Sequence, residues 1–210
     1  MTDNSKDEFI EITRIKEEFI ANASHELKTP IASVRLAAES ALTSLERDDG
    51  MTKSFLEQIL RDSDRMNELI SDLLDLSAME SSDVFMEAFD LHDVIANEIS
   101  YLSKQNKKRI SYKKKKVEIN ANFDDISLAV KNLIKNALKY SPPEENILIQ
   151  IEENDKSVRC SFQDFGSGIS QSDQEKIFER FYRVDKGRSR KVGGTGLGLA
   201  IVKHALDRNN

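Results

Sequence analysis

From about Phe9 to Arg47 the sequence holds no glycine and a single proline, Pro30, while its apolar residues keep a helical period. Ile12, Ile15, Phe19, Ala23 and Leu27 recur every three or four positions, and Ile31, Val34, Leu42 and Leu45 continue the pattern past the proline. Pro30 lacks a backbone donor and crowds the preceding turn, so the pattern predicts one long helix bent near Pro30; the alternative is that the helix stops there. Arg47-Asp48-Asp49-Gly50 then reads as a turn. Thr52 is a cap for a second helix whose stripe is Met66, Leu69, Ile70, Leu73 and Leu76. Each stripe is wider than one partner helix can cover. The expected solution is a homodimer in which two hairpins form a four-helix bundle, against the alternative that the stripes pack on the C-terminal part of the chain.

The pattern changes from about Phe85. Leu91 to Lys107 reads as a helix, Arg109 to Lys113 and Val117 to Ala121 as short strands, and the run Lys113 to Lys116 as a solvated turn. Asp124 or Asp125 can cap a helix carrying Leu128, Val130, Leu133, Ile134 and Leu138, which Pro142-Pro143 terminates. Ile147 to Ile151 and Val158 to Gln163 alternate as a strand pair turning at Asn154-Asp155. The expectation is an α+β chain: a helical hairpin over residues 1–82, then an α/β sandwich over 83–210 with its helices on one face.

Composition bounds the function. An apolar share of 39% suffices for ordinary cores in 210 residues. A net charge of −6 argues against sequence-independent binding to nucleic acid, which needs a basic face. The single cysteine, Cys160, lies in an alternating run and reads as a buried small hydrophobe. No apolar stretch approaches the roughly 18 to 20 residues that span a bilayer, and the N-terminus lacks a signal-peptide core.

His25 falls nearly opposite Ala23 and Leu27 on the first helix, facing water, with Glu26 following at once. A neutral imidazole can attack phosphorus, act as a base or bind metal, yet alone it is an ordinary surface residue. In the C-terminal part, Asn132 and Asn136 share a helix face, as do Asn136, Lys139 and Tyr140. A neutral amide oxygen suits Mg²⁺, and an ammonium offsets phosphate charge. Asp164 follows a strand and precedes Gly166 and Gly168; a carboxylate at a pocket floor accepts a hydrogen bond from an exocyclic amine. Gly193-Gly194-Thr195-Gly196-Leu197-Gly198 feeds an apolar run that starts a helix, and such turns offer backbone N–H groups to phosphate. The Gly-Lys-Ser/Thr ending of a Walker loop is missing.

These blocks, with Phe178-Glu179-Arg180-Phe181-Tyr182-Arg183 between the last two, stand in the order and spacing of the N, G1, F and G2 boxes of sensor histidine kinases. His25-Glu26-Leu27-Lys28-Thr29-Pro30 resembles that family's phosphoacceptor box. The resemblance implies autophosphorylation of His25 from Mg-ATP and transfer of the phosphoryl group to an aspartate of a response-regulator receiver. It implies Mg²⁺ on Asn136; nucleotide contacts from Asn132, Asn136, Lys139, Tyr140, Asp164, Gly166 and Gly168; and others from Gly194, Thr195, Gly196, Leu197 and Gly198. Glu26 is implied as general base or imidazole orienter, Thr29 as the residue positioning water for regulator dephosphorylation, and Arg183 as a γ-phosphate contact. Lys186, Arg188, Arg190 and Lys191 resemble the basic lid over ATP, anchored by packing of Phe178 and Phe181. Such a core is cytoplasmic and belongs to a longer, membrane-anchored sensor, without membrane contact of its own.

Family members continue past the G2 block into further strands, whereas this sequence stops at Asn210. The ATP domain is therefore expected to lack its last strands, and a catalytically impaired dimeric phosphotransfer scaffold is the alternative reading. The wider ATPase superfamily of gyrase, mismatch-repair and chaperone ATPases shares the asparagine and glycine blocks; His25 on its own long helix argues against it.

Overall fold

The computed structural model describes residues 4–184 and 194–209; the side chains of residues 4–12, 15 and 16 lie outside that description. The described residues form two compact units, the first built on residues 4–71 with 194–195 and the second on 72–184 and 196–209.

Helix α1 (Asn4–Arg47) passes through Pro30 without a break, so the proline does not end it. Pro30 is buried and leaves the Glu26 carbonyl without its usual donor four residues on. Helix α2 is Thr52–Ser81. Thr52 does not cap it as the sequence suggests: its hydroxyl donates to Ser44 Oγ at 3.0 Å, while Ser44 donates to Asp49 and Asp49 Oδ1 accepts from Met51 N–H at 3.0 Å. A polar cluster around buried Ser44 thus closes the hairpin. Polar contacts also set its register, with Ser33 Oγ and Gln58 Nε2 both donating to Asp62 Oδ2 at 2.6 and 2.8 Å. Ala37, Ala41 and Leu69 are buried, but Ile20, Ile31, Leu42 and Leu45 along one face of α1 are each more than half exposed.

The second unit holds β1 (Glu87–Asp90), α3 (Leu91–Ser100), α4 (Lys104–Lys108), β2 (Ile110–Tyr112), β3 (Glu118–Ala121), α5 (Phe123–Tyr140), β4 (Ile147–Glu153), β5 (Val158–Gln163) and α6 (Gly198–Arg208). Two sheets form: β1 pairs antiparallel with β3, and β4 is central between parallel β2 and antiparallel β5. Alternation along β4 turns Ile147, Ile149 and Ile151 inward, where they meet Val94 and Ile95 of α3 and Ile134 of α5 in one core. Phe89 and Phe123 add an edge-to-face contact at 5.2 Å.

Three local expectations are corrected. The stretch from Leu91 to Lys107 is two helices, because Ser103 leaves the helix and caps α4 by accepting from Asn106 N–H at 3.2 Å. Asn122, rather than Asp124 or Asp125, caps α5, accepting from Asp125 N–H at 2.9 Å. The strand β1, which the sequence did not reveal, supplies the partner for β3. The β4–β5 hairpin turns at Asn154 as expected, with Oδ1 accepting from Lys156 and Ser157 N–H.

Asp125 is buried for a different reason. Arg208 Nε of α6 lies 3.2 Å from Asp125 Oδ2, at ion-pair distance though outside hydrogen-bond geometry, with both side chains largely buried. Asn209 Nδ2 donates to the same oxygen at 3.1 Å, and Asn209 Oδ1 accepts from Asn122 N–H at 2.6 Å. The ends of α5 and α6 are thereby locked. Asp125→Ala removes the only carboxylate paired with Arg208 among the described residues, leaving its Nη2 on Ser82, and is expected to cost about 3 kcal/mol in the denaturant unfolding of this unit. On the other side of the core, His92 Nδ1 lies 2.8 Å from the Tyr112 hydroxyl. Burial, then the nearby Cys160, Asp90 and Asp93, push Tyr112 up to about 12. Burial also pushes the Cys160 thiol up to about 11. Its alkylation at pH 8 is therefore expected to run about a hundredfold slower than that of a free thiol, recovering in denaturant.

Candidate functional site

Helix α5 is the wall on which the motif blocks of the second unit meet. Asn132 is only 5% exposed; its Nδ2 donates to Leu128 O at 2.9 Å, and its Oδ1 faces the backbone of Gly198. A Cβ on Gly198 would come within 2.9 Å of that oxygen and 3.8 Å of Asn136 Nδ2, so the start of α6 lies directly against the asparagine face. Asn132 therefore braces the wall, while Asn136 and Lys139 are half-buried and Tyr140 is half exposed. Lys139 Nζ lies 5.6 Å from the Tyr140 ring centre.

The loop after β5 closes on the C-terminal end of the same helix. Phe165 N–H donates to Ser141 Oγ at 3.3 Å, and a Cβ on Gly166 would stand 2.7 Å from Tyr140 O. The Tyr140 backbone on one side and the Asp164 carboxylate on the other leave no room for a side chain there. Asp164 is exposed, and its Oδ1 accepts from Gly166 N–H at 2.8 Å, which leaves Oδ2 as an acceptor for a ligand amine. Gly168 lies in the same loop with φ +73°.

The G2 turn is bound to the F block by a hydrogen bond from Phe181 N–H to Gly196 O at 2.9 Å, and both residues take positive φ. Leu197 is fully buried and precedes α6 without a side-chain cap, so the first N–H groups of α6 have no side-chain acceptor from that position. Gly194 and Thr195 are buried. Phe178 ends a short 3₁₀ turn and is 40% exposed, so it packs less than expected. Tyr182 and Ser170 each donate to Asp173 at 2.6 Å, holding that carboxyl below the usual carboxylate range, and the bond to Asp173 pushes Tyr182 up. Arg183 is half-buried; Lys186, Arg188, Arg190 and Lys191 lie outside the described residues.

In the first unit His25 is exposed, as its helical phase requires. Glu26 is half-buried and its Oε2 accepts from Arg65 Nη2 at 3.2 Å, while the Thr29 hydroxyl donates to the His25 carbonyl at 3.3 Å.

Two residues no motif singled out complete these sites. Arg65 belongs to α2, and Arg109 donates to the carbonyls of Leu138, Ser141, Pro142 and Glu145, holding the C-terminal end of α5 as a cation suits a helix C-terminus. Neither lies in a motif block, and only three-dimensional proximity identifies them.

Residues 15–82 match the family described as "His Kinase A (phospho-acceptor) domain", and residues 121–209 match "Histidine kinase-, DNA gyrase B-, and HSP90-like ATPase". The chain belongs to the sensor histidine kinases. The phosphoacceptor match sets this kinase apart from the gyrase and chaperone branches of the ATPase superfamily. It is 34% identical over 220 residues to the sensor-like histidine kinase SenX3 of Mycolicibacterium smegmatis, covering 99% of this chain and 55% of that protein. To the sensor protein kinase WalK of Staphylococcus haemolyticus it is 35% identical over 214 residues, covering 95% and 34%. This histidine kinase chain thus spans about half or less of the length of these relatives. Its fold is shared with the Acinetobacter baumannii histidine kinase AdeS at TM-score 0.63 and 22% identity, over 88% of this chain and 86% of that one. It is shared also with histidine kinase ThkA, solved in complex with response regulator protein TrrA, at TM-score 0.67 and 20% identity, over 82% and 52%.

The contact between Gly166 and Tyr140 O gives a sharp test of the wall. Gly166→Ala is expected to weaken ATP binding at least about tenfold in calorimetric titration, since the loop must shift off α5.

Proposed function

We propose that this chain is the kinase core of a two-component sensor, in which Mg-ATP phosphorylates His25 and the phosphoryl group passes to an aspartate of a response-regulator receiver. The observation that carries this reading is the convergence of the asparagine, Asp164–Gly168 and Gly196–Gly198 blocks on α5, in a chain whose first unit presents an exposed histidine. Tyr140 and Asp164 would receive the adenine end of ATP, with Asp164 Oδ2 accepting from the exocyclic amine. Asn136, beside the Gly198 backbone, would hold Mg²⁺ through its amide oxygen, and the bound metal would supply charge neutralisation on the phosphates. Lys139 and Arg183 add positive charge, the backbone N–H groups opening α6 face phosphate, and Gly194 and Thr195 belong to the same phosphate turn. Catalysis is then mainly positioning and charge compensation, because a phosphoryl group in transfer needs little covalent help.

At the acceptor, a ring nitrogen of His25 attacks the γ-phosphorus, ADP leaves with the bridging oxygen's electron pair, and Glu26 receives or orients the imidazole proton. Thr29, one turn on, would hold water during dephosphorylation of the regulator. The exposed face of Ile20, Ile31, Leu42 and Leu45 supports a homodimer, in which a second hairpin covers that stripe to form a four-helix bundle. No described helix is long and apolar enough to cross a membrane. We place this core on the cytoplasmic side of a longer, membrane-anchored sensor.

Incubation with radiolabelled Mg-ATP is expected to give a label that is labile to acid, stable to base and lost in His25→Gln. A scaffold that no longer turns over ATP would show neither label nor a Mg-ATP-dependent rise in thermal stability.

A further inference from the structure

Arg65 reaches across the hairpin from α2 to a residue adjacent to the phosphoacceptor. Its Nη2 donates to Glu26 Oε2 at 3.2 Å, and the two side chains are 17% and 26% exposed. The pairs along the outer faces, Arg14 with Glu18 and Arg35 with Glu39, have every side chain at least 60% exposed and lie within one helix. Solvent screens the Arg65–Glu26 pair less, and a pair that crosses helices fixes direction as well as charge. The surroundings hold that direction: Ser33 and Asp62 bond across the same two helices, and buried Pro30 lies between Glu26 and Ser33 on α1.

A glutamate has several side-chain torsions, so an unsupported carboxylate beside His25 samples many directions, few of them useful to the imidazole. Arg65 bonds one of its two oxygens and so narrows the directions the carboxylate can take. We propose that Arg65 is the positioning residue that orients the Glu26 carboxylate toward its work on the His25 imidazole. The proposal rests on the phosphorylation of His25 proposed above. In that step the N–P bond forms as the phosphorus–bridging-oxygen bond breaks, the electron pair leaves with ADP, and the ring proton passes by way of Glu26 to water. Arg65 touches neither phosphate nor imidazole in this account; it acts through Glu26.

The test uses the full chain and the variants Arg65→Ala, Arg65→Lys, Glu26→Gln and the double variant Glu26→Gln with Arg65→Ala. Each is phosphorylated with Mg-ATP and, separately, with phosphoramidate, a small donor that does not need the nucleotide unit. Arg65→Ala is expected to lower the rate of His25 labelling about tenfold with either donor, leaving KM for Mg-ATP unchanged. Arg65→Lys should recover to within about threefold, and in the Glu26→Gln background Arg65→Ala should change nothing further. Equal losses in both backgrounds, an unchanged rate in Arg65→Ala, or a shift carried by KM alone would overturn the proposal. If Arg65→Ala loses helicity, Arg65→Gln takes its place: in a fully helical protein a loss of about tenfold that vanishes in the Glu26→Gln background supports the assignment, and an unchanged rate overturns it. Label from phosphoramidate without label from Mg-ATP would sink the kinase reading while still deciding Arg65, and no label from either donor removes both.

Discussion

Asn132 is held inside the helical layer by its own turn, with its amide nitrogen on Leu128 O, so its oxygen meets the backbone of Gly198. That contact fixes where α6 begins, and the start of α6 fixes the Gly196–Gly198 turn. At the other end of α5, the Tyr140 carbonyl and the Ser141 hydroxyl do the same for the loop carrying Asp164 and Gly166. Two separated glycine loops are thus located by one helix. Arg109 adds four carbonyl contacts at that end, and the Asp125–Arg208–Asn209 cluster ties the opposite end of α5 to the end of α6. The site is a property of α5 and of what the rest of the unit does to hold it.

The helical hairpin works by a different economy. Its inner face holds Ala37, Ala41 and Leu69 together with polar bonds that set register, while Ile20, Ile31, Leu42 and Leu45 stay outside. Small residues let the helices approach closely, and the outer aliphatics need a further surface to cover them. Pro30 leaves the Glu26 carbonyl without a donor in the turn that holds His25, and Thr29 adds a hydroxyl to the His25 carbonyl as Thr43 does to that of Glu39, so the missing donor is what sets the turn bearing His25 apart.

How much of this is legible in the sequence depends on the range of the interaction. The long helix, the second helix, the β4–β5 hairpin and the termination of α5 before Pro142 all follow from local periodicity and turn chemistry, and they stand as read. The α5 cap is not legible because Asn122, Asp124 and Asp125 have near-equal local preference, and Arg208, distant in sequence, takes Asp125 for another purpose. The break at Ser103 is local but weak, since Leu91 to Lys107 has no glycine or proline to mark it. That β2 and β3 enter different sheets cannot be seen from two short strands on either side of a lysine run. Among candidate site residues, those inside motif blocks carry a signal in the sequence. Even so, Asn132 proves to be a brace more than a ligand-facing residue, because its burial is set by α6. Arg65 and Arg109 carry no signal of their own.

The account turns on α5 gathering its two glycine loops into one nucleotide site, and hydrogen exchange read by mass spectrometry with increasing Mg-ATP measures this most directly. Amides across 132–141, 164–168 and 196–201 should gain protection together, with a common midpoint. Protection confined to one of those segments, or midpoints that differ among them, would contradict it.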